Sequence, residues 1–345
     1  MGRAGLVLVL LSAAASAADH PATGKAVKGF EPVDAAAREF QRRIDCSAIT
    51  VAVLWKGEVV YARGFGWLDE ARTKPVPPDA LMRIASVSKS VTAAAVKTLV
   101  RAKKLAPDTK VFDFLKLTAP AEGFDPRWKA VTVQHLLDHK GGWDREKSFD
   151  PMFRIKDVEK DLDLKGPAKA ADVVRWMLGK PMQFDPGERS AYSNFGFCAL
   201  GRVIEKASGK PYFDYVREAV LKPAGATDMK LGKNAEFDAR EVWYPPNAMN
   251  VEVMDAHGGL IASAPALCKF MNRYVLNGDV RAVATGINMC YFGGLVGTTA
   301  MARQRTDGYS VAVLCNNRRA EWKEDNAELM RLMDAALDKV AGKQK

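Results

Sequence analysis

Apolar positions change period several times along the chain, and each change marks an element. Residues 33–44 place Val33, Ala36, Ala37, Phe40 and Ile44 at helical spacing. The following "TVAVLWKGEVVYARGFG" reads as two strands with Lys56-Gly57 at the hairpin turn. From Ser86 to about Lys104 the spacing is helical again, and from there to about Gly225 the chain is mostly helical with long connections. "VTVQHLLDHKGGWD" predicts a helix ending at Gly141-Gly142, and "DPGERSAYSNFGFCALGRVIEKASGK" one that starts after Pro186 and stops at Gly209. Near the end, "LVGTTAMARQRTDGYSVAVLCNN" predicts two strands joined at Asp307-Gly308, a dipeptide suited to positive φ. A last helix from about Glu321 to Val340 carries Leu329, Leu332, Met333, Ala336 and Leu337 on one face.

This order predicts an α+β fold. One antiparallel sheet draws strands from both ends of the chain, terminal helices flank it, and an all-helical lobe is inserted. The α/β lobe is expected over about 30–85 and 226–345, and the helical lobe over about 86–225. A chain of this length exceeds one ordinary core, yet no linker or repeat divides it, so the lobes are expected to fold as one unit with a cleft between them.

Residues 1–17 read as an export signal: Arg3, then apolar Leu6 to Leu11, then the small-residue site Ala15-Ser16-Ala17. The apolar run is too short to span a bilayer, so no stable membrane span is expected after cleavage, and residues 18–345 form the mature chain, secreted or periplasmic. The formal charge of +10 comes from 51 basic and 41 acidic residues; without Arg3 it is 50 − 41 = +9. The basic residues are scattered pairs, among them Arg42-Arg43, Lys103-Lys104 and Arg318-Arg319, and carry no aromatic interleaving. That pattern argues against a nucleic-acid partner. Cys46, Cys198, Cys268, Cys290 and Cys315 show no metal-ligand spacing, and their odd number leaves at least one thiol free.

Ser86 and Lys89 form S-x-x-K at a helix start, one turn apart on one face, where an amine can reach the hydroxyl. Ser88 and Ser90 have no lysine at that spacing and read as packing or helix-start residues. By itself the motif is better read as a helix cap and a surface charge. "AYSN" at 191–194 adds Tyr192 and Asn194 in a loop before an apolar helix. "YFGGLVGTTA" from Tyr291 is a glycine-containing strand, whose glycines suit close approach of a ligand to the backbone.

In this order the three segments resemble the serine β-lactamase and penicillin-binding-protein superfamily, nearest its class C β-lactamase, D-alanyl-D-alanine peptidase and family VIII esterase-like branch. The resemblance extends to "VAVLWKGEVVYARGFGWLDE", "VTVQHLLDHKGGW" and "DAHGGLIASAPALCKFM". It implies that Ser86 is acylated and that Lys89 and Tyr192 share the base work, Tyr192 as a phenolate favoured by the neighbouring ammonium and opposed by burial. It implies further that Asn194 orients Lys89 and binds a polar substrate group, and that the N–H groups of Ser86 and Gly294 hold the oxyanion. No cofactor is implied.

The third motif departs from the family, which has a lysine or histidine where this chain has Tyr291, followed by Phe292-Gly293. A charge-assisted bond is worth about 1.5–3 kcal/mol, so losing that cation would weaken carboxylate binding about tenfold to a hundredfold. A less charged ester, amide or peptide substrate, peptidoglycan fragments included, is therefore expected unless another arginine or lysine reaches in. The alternatives are a β-lactamase or D-Ala-D-Ala peptidase proper, and a member that binds without turnover. His135 and His139 are four apart, but without an H-E-x-x-H glutamate no metal site is expected; His135 is read as packing under its helix, His139 as capping its end, and His257 as a cleft or turn residue.

Overall fold

The computed structural model describes residues 20–117, 123–246 and 249–342; the export signal read over 1–17 lies outside them. Nine strands are present among the described residues: β1 (Ala22–Thr23), β2 (Ala48–Trp55), β3 (Glu58–Gly66), β4 (Met82–Arg83), β5 (Met229–Leu231), β6 (Leu260–Ala262), β7 (Met289–Leu295), β8 (Thr298–Gln304) and β9 (Ser310–Cys315). Six make one antiparallel sheet in the order β1-β3-β2-β9-β8-β7, so β2 pairing with β9 joins the two ends of the chain. Lys56 and Gly57 turn β2 into β3 at φ 49° and 86°, the positive angles of a tight hairpin.

The sheet is covered on both faces, which is why β2 and β9 read as continuous apolar runs. Ile49, Val51, Val53, Val311, Val313 and Cys315 pack with residues of the terminal helices Glu31–Ile44 and Trp322–Gly342. On the other face Ala52, Ala300, Ala302 and Ala312 belong to the main core, and their small side chains let the Ala264–Arg273 helix lie close. This inner helix was not anticipated, nor was the short sheet β4-β6-β5 beside it.

The segment from Tyr291 holds two strands where one was read. Val296 and Gly297 form a two-residue loop between β7 and β8, with Gly297 at φ 66°. β7 thereby becomes the free edge of the sheet, facing the helical elements. The helix after Thr132 is also shorter than read: it spans Val133–Leu137, and the chain breaks at His139 with φ 57°. Trp128, Trp143 and Phe195 pack ring to ring at 4.4 to 5.9 Å, which anchors the start of the Asn194–Ser208 helix on the core of this lobe.

Candidate active site

Ser86 lies in a 3-10 turn, Ala85–Val87, placed between the two sheets. Ala85 has φ 44°, a left-handed conformation that costs an alanine about 1–2 kcal/mol. Its neighbours hold it there. The N–H of Ile84 donates to the Leu260 carbonyl at 3.1 Å, and the Ile84 carbonyl accepts from Val87 N–H at 3.1 Å. Ser88 is fully buried and its hydroxyl accepts from Leu260 N–H at 3.3 Å, tying the helix start to β6.

Lys89 follows in the first turn of the Ser88–Arg101 helix and points back to Ser86, with Nζ 3.1 Å from Oγ. Only 4 % of Lys89 is exposed, and its amine also donates to the His257 carbonyl at 2.8 Å. One turn on, the Thr92 hydroxyl donates to the Ala256 carbonyl at 2.6 Å, so the helix fixes the segment that receives the lysine. Burial pulls the Lys89 pKa well below its ordinary value; Asp150 opposes this and Arg145 adds to it.

Tyr192 enters from the opposite wall, its hydroxyl donating to Ser86 Oγ at 2.7 Å. Its ring lies 4.7 Å from the His139 ring and has Lys89 Nζ and Arg145 over it at 4.9 and 4.8 Å. Against the expected phenolate, burial raises the Tyr192 pKa, outweighing the bond to Ser86 and the charge of Arg145 that lower it. Both shifts run toward the uncharged forms, amine and phenol.

The loop that carries Tyr192 is held by residues given other roles on sequence. His139 Nδ1 accepts from Ser193 N–H at 3.1 Å, so its ring braces the loop as well as ending the helix. Burial, then the charge of Lys89, lowers its pKa to about 4. His135 completes a capping box with Thr132 at the helix start and does not pack beneath the helix. Ser193 is the cap of the following helix, its hydroxyl accepting from Gly196 N–H at 3.1 Å. That leaves Asn194 free to face the cleft.

Asn194 does not reach Lys89. Its Nδ2 donates to Asp150 Oδ2 at 2.6 Å, and Arg145 Nη1 is 3.4 Å from the same oxygen. The orienting partner of Lys89 is a backbone carbonyl, that of His257. The His257 side chain is buried with Nε2 unpaired, and burial holds its pKa well below normal. Asp150 was missed; its one sequence signal is Asp-Pro, the cap of the short turn Pro151–Phe153.

The third segment lies beside Ser86 on β7. A Cβ on Gly293 would stand 2.1 Å from the Ile84 carbonyl oxygen, and one on Gly294 would stand 2.1 Å from Cζ of Arg318. Both glycines therefore admit the protein's own chain, where close approach of a ligand was expected. In a two-residue hairpin the flanking pair Leu295–Thr298 is hydrogen-bonded, so by alternation Phe292 and Gly294 turn their N–H and C=O groups away from β8 to the open edge. Tyr291 and Phe292 border a pocket of about 470 Å³ with Ser86, Leu137, Phe197 and Leu276. On the other side of Ser86 a second pocket of about 310 Å³ is bordered by Gly294, Arg145, Arg318 and Trp322. Arg318, read as part of a scattered surface pair, comes into the cleft from just beyond β9, while Arg319 binds Asp325 at 2.7 Å.

Among the described residues, no helix is long and apolar enough to cross a membrane, and no cluster of His, Cys, Asp or Glu could hold a metal ion. The five cysteines are unpaired, four of them buried.

Among curated proteins, the chain is 31% identical to esterase EstB of Burkholderia gladioli over 224 residues, 61% of this chain and 55% of that protein. It is 29% identical to penicillin-binding protein 4* of Bacillus subtilis over 184 residues, 53% of this chain and 37% of that protein. A probable fimbrial assembly protein FimD of Dichelobacter nodosus is 36% identical over 231 residues, 64% of this chain and 55% of that protein. The chain spans about half the length of the curated relatives it matches. Among solved structures, D-amino acid amidase from Ochrobactrum anthropi superposes with a TM-score of 0.73 at 18% identity, over 92% of this chain and 100% of the other. A penicillin-binding protein homologue from Pyrococcus abyssi gives 0.64 at 24% identity, over 84% and 73%. The architecture is thus the β-lactamase/transpeptidase-like α+β fold expected from the sequence. The beta-lactamase family model matches residues 33–313, a span that contains Ser86, Lys89, Tyr192 and the β7 edge, and the chain belongs to that family.

Proposed function

We propose that the protein is an exported serine hydrolase that cleaves an ester or amide through an acyl-enzyme on Ser86. The observation that carries this is the convergence of a buried amine and a phenol on one hydroxyl, at 3.1 and 2.7 Å, beside a free strand edge. A neutral Lys89 can donate to the His257 carbonyl and still offer its lone pair to Ser86. Ser86 Oγ attacks the substrate carbonyl carbon as its proton passes to Lys89. The oxyanion is received by the N–H of Ser86, an unpaired donor at the start of its turn, and by the N–H of Gly294 on the open edge. The proton then returns through the Tyr192 hydroxyl to the leaving oxygen or nitrogen as its bond to carbon breaks. Water attacks the acyl ester by the same route in reverse, releasing the acid and restoring Ser86. Esterase, penicillin-binding protein and amidase relatives are in keeping with either bond type.

Turnover of a short-chain p-nitrophenyl ester, a D-amino-acid amide and a chromogenic cephalosporin should be measured on wild type and Ser86→Ala. Ester or amide turnover that falls by at least about a thousandfold in the variant is expected. Undiminished turnover in Ser86→Ala would overturn the reading.

A further inference from the structure

The two pockets that flank Ser86 differ in charge. On the Tyr291 side the wall is mixed, with Leu137, Phe197 and Leu276 beside Gln134 and Asn277, and the lysine at its rim, Lys97, is paired with Asp279 at 2.8 Å. On the Gly294 side two arginines enter and only one has a carboxylate partner: Arg145 shares Asp150 with Asn194. Arg318 has no ion pair among the described residues. Its Nη1 is buried and without a hydrogen-bond partner. Asp325, whose charge it feels, is already held by Arg43 at 2.9 Å and Arg319 at 2.7 Å.

The placement of this guanidinium is specific. Trp322 stacks on it with the ring centre 4.8 Å from Cζ, and only a glycine at 294 leaves room for it. A partly desolvated cation with no ion pair of its own is unfavourable, and its fork of donors matches the two oxygens of a carboxylate. The cation that the third motif lost at Tyr291 thus re-enters from the end of β9, on the other side of the nucleophile.

We propose, resting on the acyl-enzyme reading above, that the substrate carries a carboxylate on the Gly294 side of its reacting carbonyl, bound by Arg318, and an uncharged group on the Tyr291 side. The charge is thereby assigned to one end of an otherwise uncharged ester or amide.

The test uses two matched pairs of aryl esters on the full chain. In the first the charge is in the acyl part, p-nitrophenyl hemiglutarate against p-nitrophenyl butyrate. In the second it is in the leaving group, the butyryl ester of para-hydroxybenzoate against that of para-hydroxybenzamide. Wild type should prefer the charged member of one pair about tenfold to a hundredfold in kcat/KM, mostly through KM, and the preference should decline as ionic strength rises. Arg318→Gln should lose that preference and Arg318→Lys should restore part of it. The inference is overturned if neutral esters turn over, and Ser86 takes up a fluorophosphonate, with no preference for charge in either pair. It is equally overturned if Arg318→Gln keeps the wild-type preference. Absence of both turnover and labelling would overturn the acyl-enzyme reading, and this one with it.

Discussion

Gly293 is the point at which the nucleophile turn and the edge strand touch, and Gly293→Ala separates them. The added Cβ would lie 2.1 Å from the Ile84 oxygen and 3.1 Å from the Ala85 Cβ. The first contact has to open to at least 3.0 Å, a movement of 3.0 − 2.1 = 0.9 Å. Ile84 cannot supply it without cost, because its N–H is bonded to Leu260 and its carbonyl to Val87, each at 3.1 Å. The strand therefore moves, and the adjacent Gly294 N–H moves with it. Gly293 does not have a positive φ, so the cost is steric and positional. Overpacking of this kind destabilises by about 1–3 kcal/mol, and displacing one oxyanion donor by about an ångström costs about 10²–10³ in kcat. Gly166→Ala, where nothing lies within 4 Å of an added Cβ, serves as the control. The assay is kcat on a neutral ester, the rate of fluorophosphonate labelling, and thermal melting by circular dichroism. A Gly293→Ala protein within about threefold of wild type in kcat, melting at the same temperature, would refute the placement of Gly294 as an oxyanion donor.

Further outcomes follow from the buried groups. Lys89→Met should lower kcat by about 10²–10⁴ while the chain still folds, and a variant of near wild-type activity would exclude Lys89 as the base. His139, whose pKa falls from 6.5 to about 4 in the fold, contributes stability that is present above 6.5 and lost as pH falls toward 4. His139→Asn should therefore show a shallower loss of melting temperature over that window, and parallel slopes would contradict the role of its Nδ1 as acceptor for Ser193. Glu241, buried against Arg83 and Tyr244, has its pKa raised from 4.5 to about 7, chiefly by burial. Its contribution is complete below pH 4.5 and lost as pH rises through 7, by roughly 3 kcal/mol at most. Glu241→Gln should remove that decline in chemical denaturation, and an unchanged decline would contradict it.

Local chemistry was legible in the chain; distant partners were not. The Lys56-Gly57 turn and the apolar stripe of Trp322–Gly342 follow from dipeptide and period, and both are present. The reach from Lys89 to Ser86 follows from one helical turn. Val296-Gly297 was hidden as a turn because its flanking residues favour strand on both sides. The hold on Lys89 was illegible for a different reason: a backbone carbonyl, that of His257, has no residue type to announce it. Asn194 with Asp150, and Gly294 with Arg318, are meetings of loops far apart in the chain, set by how the helical lobe and the last strand pack. Arg318 is the instructive case, since its composition-level reading as surface charge and its place in the cleft differ only by which way one side chain turns after β9. Tyr192 shows the same limit in energetics. The Lys89 amine and the Arg145 guanidinium lie over its ring, yet burial prevails.

The central claim, that Ser86 is the nucleophile, is tested most directly by mass spectrometry after treatment with a fluorophosphonate. One adduct per chain is expected, mapped to Ser86 and absent from Ser88 and Ser90, and absent altogether in Ser86→Ala. An unlabelled native protein, or an adduct that persists in Ser86→Ala, would contradict it.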